Sequence, residues 1–249
     1  MTISVSNYKP SATNRKPRYL FFLLALCFSF IANAADRETN RMERRAEKLA
    51  ASLRDIQSLE GSQIPPNILK QAKGVIILKQ YEAGVIFGAM GGFGIVAVRN
   101  DEGNWSTPAW LKTGQISGGL QLGAQKLNLV LLIVKEEGLE MLKKAKFQIG
   151  VDASVVRGPT GSNPESKADA DILAYTVYEG IYAGATFEGG FLLPDKKLNE
   201  YSYGQQLAVL EIINSHELKR PEPLNIVFES LQAIENGQGL EQLAGSQEN

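Results

Sequence analysis

Cysteine and histidine are all but missing: Cys27 and His216 are the only ones in 249 residues. A single thiol cannot form an internal disulfide, and a single imidazole rules out histidine-rich metal sites. Cys27 lies in an apolar stretch near the N-terminus. If that stretch is removed, thiol catalysis and thiolate metal ligation go with it. His216 sits in a polar connection and reads as solvated surface. Neither charge sign dominates, with 26 basic against 27 acidic residues. Nucleic-acid binding, which needs a basic face, is therefore not expected. The phosphate loop G-x-x-x-x-G-K-[ST] and the nucleophile elbow G-x-S-x-G are absent as well. No catalytic group, metal or cofactor is expected.

The N-terminus carries an export pattern. Lys9, Arg15, Lys16 and Arg18 precede an apolar run, Tyr19 to Ile31, that ends in Ala32-Asn-Ala34. A basic region, a short apolar region and an A-x-A site make a secretory signal, whereas a membrane span needs about 20 apolar residues. Cys27 follows Leu26, where a lipoprotein signal requires a small residue. Removal of residues 1–34 takes out four basic residues and no acid, leaving a formal charge of −5. The expected division is a signal peptide at 1–34, a helix at 35–60, one domain at 61–236 and a polar tail at 237–249. The expected location is periplasmic, peripheral to a membrane.

Glycine is abundant, and residues 74–134 hold much of it among valine, isoleucine and leucine. Gly114 to Gln125 alternates, with Ile116, Gly118, Leu120, Leu122 and Ala124 on one side and Gln115, Ser117 and Gln121 on the other. That is the period of one strand with an apolar and a polar face. Leu127 to Val134 is apolar on both faces and predicts a strand buried on both sides. Glycine weakens a strand unless geometry requires it, for a bulge, a sharp bend or a close backbone approach. The expected fold is α+β: a strongly curved, mainly antiparallel sheet or barrel-like core with N-terminal, central and C-terminal helices.

Asp36 to Glu60 reads as a helix with one narrow apolar stripe, Met42, Ala46, Leu49, Leu53 and Ile56. Its polar faces mix acids and bases evenly, so the stripe is expected against the sheet or against a partner helix. Pro65-Pro66 starts a short helix, which Gly74 is expected to cap. Asn100 to Gly103 has turn composition. Trp105 to Leu111 reads as a strand that Pro108 places near an edge or bulge. Further helices are expected at Lys135–Lys146, within Tyr203–Asn214 and from Pro223 to Gly237, with a strand over Phe147–Arg157 and a polar loop at Gly158–Asp169. Gly92-Phe-Gly94-Ile-Val-Ala97 fits G-x-G-x-x-A. A dinucleotide site needs a helix to open there, and the β-branched residues continue a strand instead. Asp152 and Glu188 interrupt strand-like segments and are read as a structural polar network.

Ile64-Pro-Pro66, Gly91-Gly-Phe-Gly94, Trp105-Ser-Thr-Pro108, Gly118-Gly-Leu-Gln-Leu-Gly123, Gly150-Val-Asp-Ala-Ser154, Gly158-Pro-Thr-Gly161, the glycine-rich Gly180–Gly189 and Asn199 to Gly204 follow one another in order. In these the chain resembles the SYLF domain, a lipid-binding family also known from actin-patch proteins, over about Leu59 to Ile213. The resemblance implies binding of anionic membrane phospholipid, and together with the export pattern and the missing catalytic groups it gives a non-catalytic, bacterial-type exported member. Donors to the headgroup would come from Lys70, Lys73, Lys79, Lys143, Lys144, Lys146, Arg157, Lys196 and Lys197. The chain departs from the family at Tyr178-Glu179 and at Ser162, where basic residues are usual. An envelope protein or a second copy, taken up by the N-terminal helix, is the alternative partner. No actin partner is expected of an exported chain.

Overall fold

The computed structural model describes residues 18–84, 87–118, 123–144, 146–148, 154–158, 170–180 and 190–240. The chain divides into two compact units, Met1–Asn40 and Arg41–Asn249. The first holds the beginning of helix α1 (Arg18–Ser58). Among the described residues no helix is long and apolar enough to cross a membrane.

The second unit is built on an eight-stranded sheet. Its strands are β1 (Gly74–Gly84), β2 (Phe87–Val98), β3 (Ala109–Gly118), β4 (Gly123–Ile133), β5 (Phe147–Gln148), β6 (Val155–Arg157), β7 (Ile172–Gly180) and β8 (Phe191–Pro194). The order across the sheet is β5-β8-β3-β2-β1-β4-β7-β6. All neighbours are antiparallel except β6 and β7, which run parallel. The run β4-β1-β2-β3 has the order of a Greek key. The helices are α1, α2 (Pro66–Gln71), α3 (Glu136–Glu140), α4 (Lys196–Tyr203), α5 (Val209–Ile213) and α6 (Asn225–Glu235). The sheet curls into a half-barrel, and the expected α+β class with a curved glycine-rich sheet holds.

Side chains of alternate parity separate two cores. Val75, Ile77, Ile95, Trp110, Val130, Leu132 and Leu173 pack under α1, α2 and α6. Ile76, Leu78, Val96, Leu111, Leu129, Leu131 and Ile172 pack under α5 and the turn after α3. Every residue of Leu129–Ile133 is wholly buried, as expected for the strand read as apolar on both faces. The α1 stripe is buried too, with Leu49, Leu53 and Ile56 at 0 % exposure. Each such side chain contributes about 1.5–3 kcal/mol. Because the stripe packs on the chain's own sheet, it is not available to a partner helix.

Several local readings need correction. Gly114–Gln125 is not one strand: β3 stops at Gly118 and β4 starts at Gly123, on opposite sides of the β1–β2 pair. Alternation persists through both arms, so period alone did not reveal the break. Gly74 opens β1 rather than capping α2, whose C-cap is Ala72. The Pro108 segment leads into an interior strand. Before it Arg99 and Trp105 form only an isolated bridge, so no ladder donor is lost. Phe147–Arg157 splits into β5 and β6, at opposite sheet edges. The helix expected over Lys135–Lys146 is only α3 and a 3₁₀ turn, Met141–Lys143.

Two glycines show why the sheet needs them. A Cβ at Gly92 would stand 2.3 Å from the Lys79 carbonyl oxygen, and one at Gly94 would stand 2.1 Å from that of Ile77. Only an unsubstituted Cα lets β2 approach β1 this closely.

Candidate functional site

Of the nine cations expected around a headgroup, the eight whose side chains are described do not converge. Lys79 is buried at 7 % exposure and bonds Asn128 and Glu179. It is an interior residue, not a surface ligand. Lys73 pairs with Glu136, and Lys143 with Glu140, both at 2.6 Å. Lys70 lies on α2, Lys144 follows the 3₁₀ turn, and Lys196 and Lys197 open α4; all four are exposed. Arg157 belongs to β6, its side chain outside the described set. Asp152 and Glu188 also lie outside the described residues. Of the nine, Lys146 joins the constellation described next.

That constellation runs along one edge of α1 and onto the sheet face beneath it. Arg41, Arg45 and Lys48 follow at intervals of four and three, which stacks them on one side of a helix. The Arg45 guanidinium lies 4.6 Å from the centre of the Phe93 ring, and the Lys48 ammonium 5.6 Å from that of Tyr81. Tyr81 and Phe93 are ring neighbours at 6.5 Å. Register sets Lys126 opposite Tyr81, and Lys112 opposite Phe93. Further along the same face the Lys146 ammonium stands 4.2 Å over the Phe191 ring. Cations over aromatic faces, beside exposed lysines, form a basic and aromatic belt at the glycine-rich end of the sheet.

Two acids of α1 go elsewhere. Glu43 and Glu47 turn the other way, to a groove of about 290 Å³ that they share with Glu222 and Glu229. The even charge count of this helix therefore conceals a lateral separation. Spacing alone could have shown it, since 41, 45 and 48 share one side and 43 and 47 the other.

Asp195 anchors the belt. It follows β8, where Pro194 cannot donate to a further ladder, and it caps α4 by accepting from the Leu198 amide at 3.3 Å. Its side chain is wholly buried. Arg41 at 3.0 Å and Arg45 at 2.8 Å meet Oδ2, and Lys112 meets Oδ1 at 3.0 Å. Burial pushes this carboxyl up, but hydrogen bonds from Arg45 and Lys112 and the nearby positive charges outweigh that, and the net shift is downward. One carboxylate thus fixes three cations in place.

Asn199, one turn into α4, continues the sheet with its side chain. It accepts from the Trp110 amide at 2.7 Å and donates to the Trp110 carbonyl at 3.0 Å, taking the place of a strand that ended at Pro194. Asn199→Ala leaves the buried Trp110 amide unpaired, while the Trp110 carbonyl keeps the Asp195 amide, and urea denaturation should show a loss of about 2 kcal/mol. At the other end of the same sheet face, Arg99 stacks 3.9 Å over Trp105, and both bond Glu235 of α6. That cluster joins helix to turn and is structural. Among the described residues no group of three His, Cys, Asp or Glu side chains could hold a metal.

Comparison with known proteins bears on what this arrangement is for. A family model described as "Ysc84: Las17-binding protein actin regulator" matches residues 114–234. The chain is 29% identical over 198 residues to bovine (Bos taurus) SH3 domain-containing YSC84-like protein 1, covering 77% of this chain and 58% of that protein. The Xenopus laevis protein of the same name is 30% identical over 199 residues, covering 77% of this chain and 59% of its own. LAS seventeen-binding protein 3 of Saccharomyces cerevisiae is 26% identical over 212 residues, covering 82% and 46%. The chain spans less than two thirds of the length of each of these relatives. No solved structure matches. None of these names is an enzyme's. The expectation of no actin partner is overturned, because the matching family is described as actin regulators and a relative is named for binding Las17. Its premise was an exported chain, and compartment does not govern what a family binds. The chain is a member of the SYLF-domain (Ysc84) family.

Proposed function

We propose that this chain is a non-catalytic module that binds anionic membrane phospholipid through the belt of Arg41, Arg45, Lys48, Lys112, Lys126 and Lys146. The observation that supports this reading is the pairing of cations with aromatic rings on one sheet face, at a margin where Lys48, Tyr81, Lys112, Lys126 and Lys146 are exposed. Aromatic rings suit the headgroup level, and lysine stems reach phosphate while their methylenes lie on apolar surface. Residues 1–34 supply export, so the membrane met is one of the cell envelope. The relatives' names favour a second reading, in which the module docks a Las17-type protein partner.

Flotation of the full chain with vesicles separates the two. Vesicles of phosphatidylethanolamine mixed with phosphatidylglycerol or cardiolipin should carry the protein upward, and added salt should release it. Each lysine near an anionic surface contributes about 1 kcal/mol. Charge reversal at Lys48, Lys126 and Lys146 together should therefore cut binding by more than about tenfold. Recovery at the bottom of the gradient for every lipid composition would overturn the lipid reading and leave the protein partner.

A further inference from the structure

Where α1 crosses β1, β4 and β7, two acids meet on one amide. Asn128, wholly buried in β4, donates its Nδ2 to Asp55 Oδ2 and to Glu179 Oε1, each at 2.9 Å. Two carboxyl oxygens thus converge on a single nitrogen. The Oδ1 of Asn128 accepts from Lys79 Nζ at 2.5 Å and from Ser52 Oγ at 2.9 Å. Lys79 also gives 3.1 Å to Glu179, and Lys126 reaches the other Glu179 oxygen at 3.5 Å. The groups facing this point are Ser52 and Asp55 from α1, Lys79 from β1, Lys126 and Asn128 from β4, and Glu179 from β7. These bonds tie the Ser52–Asp55 part of α1 to the sheet, whereas Arg41 and Arg45 tie its earlier turns to Asp195. Like charges so close cannot both ionise without cost.

We propose that α1 is a strap whose hold on the sheet is set by one proton shared between Asp55 and Glu179. With the proton in place, the Asp55 hydroxyl can donate to the Glu179 carboxylate while Asn128 still serves both. With both acids ionised, only repulsion acts between them, and the end of the helix that carries Leu49, Leu53 and Ile56 is loosened. The electrostatics of the two acids agree. Burial, then the charge of Glu179, raises the Asp55 carboxyl above its ordinary 3.8. Hydrogen bonding from Asn128 lowers Glu179 to about 2, partial burial opposes this, and Lys79 adds to the lowering.

The direction with pH follows. A group whose folded value is raised stabilises fully below its unfolded value and loses that contribution as pH climbs through the folded one. Asp55 therefore holds best in acid. Glu179, with a lowered value, contributes above its ordinary 4.5 and loses that only as pH falls toward about 2. The strap is tightest near the ordinary carboxyl value and loosens as pH climbs through the raised Asp55 value.

Hydrogen exchange of the full chain tests this, read as protection of amides 46–56 after correction for the intrinsic rate. Measured from about pH 3.8 to about pH 8, protection should fall as pH climbs through the raised Asp55 value, by about tenfold for each unit by which that value is raised. Asp55→Asn, neutral at every pH and of the same shape, should hold its acid-side protection throughout. Wild-type protection that is flat or rises with pH overturns the proposal. So does an Asp55→Asn variant that loses protection as the wild type does, or one less protected at both pH values. Should that variant not fold, the wild-type profile decides, together with Glu179→Gln. The latter removes the partner charge and should flatten the profile, and a profile unchanged by it counts against the shared proton.

Discussion

Asp195→Ala should cost about 2–3 kcal/mol of folding stability, because it removes a wholly buried carboxylate whose charge-assisted hydrogen bonds hold three partly exposed cations. Arg41, Arg45 and Lys112 all point at this wholly buried group. In its absence all three lose this carboxylate as a partner. The Leu198 amide at the start of α4 loses its cap as well, a further loss of about 1 kcal/mol. Asp195→Asn separates the two effects, since it retains an oxygen for the cap and discards the charge. Urea denaturation near neutral pH measures both variants. Acid titration adds an independent check. The net downward shift of this carboxyl means that its contribution is present above the ordinary 3.8 and is lost as pH falls through the lower folded value. The acid limb of the stability curve should therefore flatten in Asp195→Ala. A variant as stable as the wild type would show that the cations find other partners, and the belt would then lack its anchor.

Gly94→Ala is the second large effect. The added methyl would stand 2.1 Å from the Ile77 carbonyl oxygen and 2.5 Å from a Leu78 methyl. A carbonyl in a paired strand cannot rotate away, so β2 must move off β1. The expected loss is about 3 kcal/mol, the upper end of overpacking penalties. In a unit of this size that is a fall in Tm of about 6–12 °C. Gly91 provides the control within the same phrase. A Cβ there meets nothing within 4 Å, so Gly91→Ala should be neutral or slightly stabilising. Equal losses at both positions would mean that glycine serves this strand through something other than close approach.

These glycines also mark how much could be learned from the sequence. That the sheet is curved and glycine-dependent followed from glycine inside β-branched runs. Which glycines are indispensable did not, because adjacent Gly91 and Gly92 read alike and only the approach of β1 tells them apart. The α1 stripe was visible in its spacing, and its destination on the sheet is what burial of Leu49, Leu53 and Ile56 demands. The order of β3 and β4 was hidden, since period-2 alternation runs on unchanged through both arms.

The site was less legible than the fold. Clusters along the chain, such as Lys143–Lys146 and Lys196–Lys197, drew attention because neighbours in sequence are easy to count. The belt is assembled from α1, β1, β2, β3, β4 and β8, whose contributions lie up to about 150 residues apart, as Arg45 and Asp195 do. Lys79, read as a surface donor, is interior because its strand position faces α1, and a lysine carries no mark in the sequence of the helix that will cover it. What the sequence determined by itself was the inventory and the period: one imidazole, one thiol, an apolar helical stripe, strands that alternate, and glycines among them. What tertiary structure alone decided was which charges meet. Strand order and the crossing of α1 bring Asp55 to Glu179 and three cations to Asp195, and electrostatic energy depends on separation through space rather than along the chain.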